Sequence, residues 1–204
     1  MTKKIDSYHH GNLRETLLIK GLELLESSEK AEFSMRELTR NIGVSVNAVY
    51  RHFANKDELL TALAIQGFQK LLEHQAQMIQ NASNTKEGFI LSGKQYIYFA
   101  MQNPMLFRLM YGRFVVSHND ESLKSFANLA YHSIRYAAAA ALDIDVNSQI
   151  AKSISIKGWS VVHGLSHLLI DGQFDHLSSD EIEDMINGVL INSLHTLSDS
   201  VDKT

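Results

Sequence analysis

Cysteine is absent from the 204-residue chain. That absence excludes disulfides, thiolate metal sites and a cysteine nucleophile, and it suits a reducing compartment. Proline occurs once, at Pro104, and glycine 11 times. So few helix breakers over such a length favour an all-helical chain. No long apolar run is present either. The least polar stretch, Ile154 to Ile170, is interrupted by Lys157, His163 and His167, and it falls short of the length a bilayer requires. The opening residues, MTKKIDSYHHGNL, hold two lysines but no apolar segment of the kind a signal peptide needs. A soluble, cytoplasmic protein with no membrane partner is therefore expected.

What is present is an ordinary globular mixture, 45% hydrophobic and 21% charged, with enough chain for a real core in one or two domains. The formal net charge of −4 is unevenly placed. Residues 1–60 hold nine Lys/Arg and nine Asp/Glu, whereas residues 61–204 hold ten and fourteen. All of the excess acidity lies in the second part. The first part is correspondingly less hostile to a polyanionic partner.

Apolar spacing predicts helix after helix and no sheet or repeat. The first runs from about Gly11 to Glu29 on Leu13, Leu17, Gly21 and Leu24. The next is launched by Ser34, with Glu37 three residues on as a capping box, and ends at Gly43. Ser45 caps a very short helix. Asn55 and Glu58 form another capping box and start a long helix towards Gln80. Further helices are expected near 86–102, 104–117, 120–142, 147–171 and 179–199, with Pro104 in a first turn.

Short helix, Ile-Gly-Val turn, short helix is a helix-turn-helix arrangement over 34–53. Gly43 lets the two helices cross closely, and Val44 plugs the corner. Val49 and Phe53 anchor the second helix. Ser45, Val46, Asn47, Tyr50 and Arg51 are left facing outward, on an element that fits the major groove of B-DNA.

The stretch SMRELTRNIGVSVNAVYRHFANKDELL resembles the DNA-binding region of TetR/AcrR-type transcriptional regulators. The matching residues are Gly43, Val44, Tyr50, His52, Phe53 and Lys56, and the resemblance covers about residues 8–65. Three positions differ from the usual pattern: Thr39 replaces Ala, Asn47 replaces Gly, Ala or Pro, and Val46 replaces a polar residue. Thr39 can bond back to its own helix. The resemblance implies roles. Asn47 suits an adenine edge, Val46 a thymine methyl and Arg36 a guanine. Tyr50, His52, Lys56 and Ser34 suit phosphates, and Lys3 and Lys4 the adjacent groove or backbone. The plainer alternative is that Tyr50 and His52 merely pack and Asn47 is a solvated surface residue.

Two later stretches, FAMQNPMLFRLMYGRF and KGWSVVHGLSHLLIDG, resemble the C-terminal domain of a TetR branch marked by Trp, His and Gly, here Trp159, His163 and Gly164. That resemblance implies ligand sensing and dimerisation. The Met and aromatic residues of the first stretch lie on too many helical faces to form one stripe. Phe99, Met105, Phe107, Met110, Tyr111, Trp159 and His163 are candidates to line an apolar pocket, although for any one of them filling the core is the favoured role, by about three to one. Arg108, Arg113, Arg135 or Lys157 could meet an anionic ligand. His163, His167 and Asp171 share a helix face, but no supporting cluster accompanies them, and no metal site or cofactor is expected. Ser160, Gly164, Met185 and Val189 are candidates for a dimer interface made by the last two helices.

The expectation is an all-α protein of about nine helices. It comprises a basic arm over 1–10, a helix-turn-helix domain over 11–71 and a ligand-sensing, dimerising helical bundle over 72–204, joined by the long fourth helix. Its partners would be a double-stranded DNA operator, a second copy and a small, largely apolar effector. A constitutive DNA-binding or architectural protein without inducer is the alternative. An enzyme is not expected, because no nucleophile elbow, phosphate loop or metal motif joins the Ser, His and acidic residues.

Overall fold

The computed structural model describes residues 13–27, 33–114 and 119–201. The expected arm over 1–10, with Lys3 and Lys4, lies outside the described residues. Those described form nine helices and no strand: α1 (Leu13–Ser27), α2 (Met35–Ile42), α3 (Val46–Tyr50), α4 (Lys56–Asn81), α5 (Thr85–Gln102), α6 (Pro104–Tyr111), α7 (Glu121–Leu142), α8 (Gln149–Ile170) and α9 (Ser179–Val201). The chain divides into two compact units, Met1–Ala64 and Ile65–Thr204. The division falls within α4, as does the expected boundary after residue 71.

In the first unit, capping chemistry sets the helix starts. Ser34 accepts from the Glu37 N–H at 3.1 Å and Ser45 from the Ala48 N–H at 3.2 Å. Asn55 accepts from the Glu58 N–H, while the Glu58 carboxylate reaches back to the Ala54 N–H. Each cap satisfies a backbone donor that the helix itself cannot. Gly43 ends α2 with φ 77° and ψ 29°, a left-handed conformation that costs glycine little. The core gathers Leu17, Leu18 and Leu25 with Leu38, Val49, Phe53, Leu59 and Leu63, all buried. A side chain at Gly21 would meet Leu59 and Leu63, so α1 and α4 lie close there.

In the second unit, α5 packs against α6, α7, α8 and α9. Ile97 is buried with Leu165, Leu169, Ile186 and Leu190. A second cluster holds Ala138, Ile154 and Leu197. A Cβ at Gly67 of α4 would lie 2.5 Å from the Met110 sulfur, so α6 sits directly on this glycine.

The helix expected over 104–117 ends instead at Tyr111. Gly112 is extended (φ −81°, ψ 178°). A Cβ there would approach the Arg108 carbonyl oxygen to 2.5 Å, a contact only glycine avoids.

Candidate functional sites

The five residues of α3 are held by one side of the helix and its flank. Val49 is 0% exposed and Phe53 1%, and the Arg14 guanidinium stacks over the Phe53 ring at 5.1 Å. Ser45, Val46, Asn47, Tyr50 and Arg51 are exposed or partly so, as are Ser34 and Arg36. Tyr50 keeps 47% of its surface in water and Val46 39%. An exposed valine and tyrosine beside an asparagine and two arginines make an apolar and hydrogen-bonding surface with positive charge. Such a surface suits base edges flanked by phosphates. His52 and Lys56 are half-buried, and the Lys56 ammonium lies 5.2 Å over the Phe33 ring. That contact orients the lysine stem. Thr39 is buried and its hydroxyl donates to the Arg36 carbonyl at 2.8 Å, the back-bond expected of it.

The second unit contains a cluster of rings. Tyr96, Phe107, Tyr111, Trp159, His163 and His167 pack with centroid separations of 4.7–6.3 Å. The buried Tyr96 hydroxyl is its polar hub. It accepts from the Trp159 indole N–H at 3.1 Å and lies 2.8 Å from His163 Nδ1. Burial, then the neighbouring His167, lowers the His163 pKa to about 4, so this imidazole is neutral at pH 7. Burial also pushes the Tyr96 and Tyr111 hydroxyls well above the ordinary phenol value.

Beside this cluster is a crevice built by α4, α5, α7, α8 and α9. Gln75, Ser92, Gly93, Tyr96, Ser133, Trp159 and Ser193 are among its lining residues. It holds about 550 Å³ of space between atoms counting its open mouth, of which about 30 Å³ admits the centre of a water molecule.

Of the residues the sequence proposes for a pocket, Trp159 lines this crevice. Phe99, Phe107 and Met110 are at most 1% exposed, inside the packed core. Met105, Tyr111 and His163 are partly buried and outside the crevice lining. Gln75, Ser92, Ser133 and Ser193 were not anticipated. Gln75 had a readable signal: it is a polar residue one helical turn beyond Leu71, on the apolar face of a long helix.

Ser160 and Gly164 lie exposed on α8, and a Cβ at Gly164 would meet nothing within 4 Å. With Ile156 (52% exposed) and Leu168 (47%) they form an i, i+4 row. Gly188 and Ile191 on α9 add an open glycine and a residue 46% exposed. Met185 and Val189 are half-buried and pack against the Ile97 cluster. Gly158 and Ser166, also small, face the interior. Arg108 is paired with Asp171. Among the described residues no group of three or more His, Asp or Glu is arranged to hold a metal, and no helix is long and apolar enough to cross a membrane.

Comparison with known proteins agrees with this architecture. Residues 20–63 match the domain described as bacterial regulatory proteins, tetR family. Residues 90–190 match a tetracyclin repressor-like C-terminal domain. The nucleoid occlusion factor SlmA of Aliivibrio fischeri (strain MJ11) is 30% identical over 124 residues, 60% of this chain and 63% of that protein. The chain thus spans less than two thirds of that relative's length. A protein of unknown function from Rhodococcus sp. RHA1 has the same fold, with a TM-score of 0.78 and 26% identity over 96% of this chain and 98% of that one. The TetR family transcriptional regulator PfmR of Thermus thermophilus aligns at a TM-score of 0.64 and 15% identity, over 88% of this chain and 97% of its own. With a tetR-type module around α2 and α3 and a tetracyclin repressor-like domain behind it, the chain belongs to the TetR family of bacterial regulatory proteins.

Proposed function

We propose that this regulator is a cytoplasmic repressor that binds a near-palindromic DNA operator as a homodimer and is released by a small, largely apolar ligand. The observation that carries the DNA-reading part is α3, whose buried side is Val49 and whose exposed side is Val46, Asn47 and Tyr50. In this reading Asn47 and Val46 read bases, with Arg36 beside them. Ser34, Ser45, Tyr50, Arg51, His52 and Lys56 hold the backbone. The run holding Trp159, His163 and Gly164 supports reading the second unit as one of the TetR branch marked by those three residues.

Dimerisation would use the exposed row Ile156, Ser160, Gly164 and Leu168 with Gly188 and Ile191. Small residues allow close approach of helices, and the flanking aliphatics supply apolar area. A ligand in the crevice would touch Gln75 and Ile79 of α4, the same helix that supplies Leu59 and Leu63 to the first unit's core. Adjacent major grooves recur about every 34–36 Å, so a modest pivot of α4 takes two recognition helices out of register.

The test is selection of bound duplexes from a random pool by the full chain. A palindrome of two half-sites is expected. Enrichment of no sequence would overturn the specific-repressor reading.

A second reading is a constitutive DNA-binding or architectural protein without inducer. It draws on the relatives named nucleoid occlusion factor and on the narrowness of the crevice. A compound library that never shifts melting temperature or operator affinity would favour it.

A further inference from the structure

The crevice in the second unit has a property that composition alone conceals. None of the fourteen described residues that line it is Lys, Arg, His, Asp or Glu. A charged ligand group there would lose its water without gaining a counter-charge, which is costly. The lining is nevertheless not purely apolar. Its serines differ in how they spend their hydroxyls. Ser92 donates to the Phe89 carbonyl at 2.9 Å, as Ser155, Ser160 and Ser166 elsewhere on α8 donate back into their own helix. Ser133 on α7 and Ser193 on α9 make no such bond among the described residues, although helical serines readily do. Gln75 already spends one amide N–H on the Ser92 carbonyl at 3.1 Å.

The shape is also specific. Phe89, Tyr96 and Trp159 contribute aromatic rings to the lining. The lining is tight at Gly93, where a Cβ would lie 3.1 Å from a Leu190 methyl and 3.4 Å from a Val162 methyl. The result is a slit. We propose that this slit takes a small, flat, uncharged ligand whose polar atom accepts hydrogen bonds from the Ser133 and Ser193 hydroxyls. The inference rests on the reading of the second unit as a ligand sensor and adds to it the charge class and the gripping residues. The competing seat is Arg135 on the same helix α7, whose buried Nε has no hydrogen-bond partner among the described residues. Arg135 is outside the lining, and it would draw an anion instead.

Four compounds of one shape test this on the full chain: acetophenone, toluene, benzoate and benzylamine. Trp159 is the only tryptophan and lines the slit, so its fluorescence reports occupancy, with calorimetry as the second measure. Acetophenone should bind at least roughly tenfold more tightly than benzoate or benzylamine. Replacing both serines (S133A with S193A) should lower acetophenone affinity about tenfold, to the level of toluene, and leave toluene unchanged. Alanine favours helix at both positions, and unchanged toluene binding verifies that the slit remains. Benzoate or benzylamine binding as tightly as acetophenone would overturn the proposal. So would indifference to the serine changes, or binding of none of the four. Release of selected operator DNA is measured separately. Acetophenone that binds by these rules without freeing DNA upholds the slit and removes it from the inducer reading. Benzoate that binds and frees DNA keeps an inducer and overturns the slit's charge class.

Discussion

The two units use their unusual residues in opposite ways. In the first, the residues that suit a partner face water: Val46, Asn47, Tyr50 and Arg51 are exposed on and just after a helix of five residues. Its core is ordinary aliphatic packing around Val49 and Phe53. In the second, the unusual residues are inside. Tyr96 is 1% exposed and joins Trp159 and His163 in a ring cluster beside a slit. A surface site can change its side chains with little effect on folding. An interior site shares its side chains with the core, so function and stability are read together there.

That contrast can be broken at four places, taken from the largest expected effect. Phe53→Ala removes a ring that is almost fully buried and should cost about 3–5 kcal/mol, measured by urea unfolding, with loss of all DNA binding. Retained DNA affinity at normal stability would show that α3 does not depend on this anchor.

His163 gives the next effect. Its folded pKa, about 4, lies below the unfolded value of about 6.5. Its stabilising contribution is therefore complete above pH 6.5 and is lost as pH falls towards 4. The whole gap would be about 3.4 kcal/mol, and because His163 is only half-buried, solvent screening leaves on the order of 2 kcal/mol. The groups facing it are His167, Tyr96, Tyr111, Phe107 and Trp159. Denaturation midpoints between pH 4 and 7 should fall steeply for the wild type and less for His163→Gln. Parallel profiles would remove His163 as the cause.

Asn47→Ala should change stability by less than about 0.5 kcal/mol while costing about 1–3 kcal/mol of discrimination at one base position of the operator. Competition binding with single-base operator variants measures it. A uniform loss across all variants would make Asn47 a backbone contact.

Lys56→Gln should have the smallest effect. Affinity should fall equally for all duplexes, and the slope of log affinity against log salt should flatten by about 1. The lost stacking on Phe33 should cost about 0.5–1 kcal/mol of stability. An unchanged salt slope would leave Lys56 a packing residue only.

The same contrast explains what was legible in the amino-acid order. Local chemistry marks itself. Ser34, Ser45 and Asn55 read as caps and act as caps, and Gly43 reads as a left-handed stop and is one. The outward set on α3 follows from its length and from the burial demands of Val49 and Phe53. The break at Gly112 was hidden, because apolar spacing continues through Phe114 and the approach of the Arg108 carbonyl one turn back depends on local backbone angles that side-chain spacing does not encode. The interior slit was hidden for a deeper reason. Gln75, Ser92, Gly93, Ser133 and Ser193 come from four helices, and no local run joins them. Abundance of Met and aromatic residues pointed instead to Phe99, Phe107 and Met110, which fill the core. On the outer face, Ser160 and Gly164 were readable as small residues, but Ile156, Leu168 and Ile191 stand out only once their exposure is known.

The proposed regulation depends first on α3 reading DNA sequence. Its most direct measurement is the affinity of the wild type for its selected operator relative to a scrambled duplex of equal length, at one fixed salt concentration near physiological. If α3 reads sequence, that ratio is at least about a thousand. A ratio near one would contradict it.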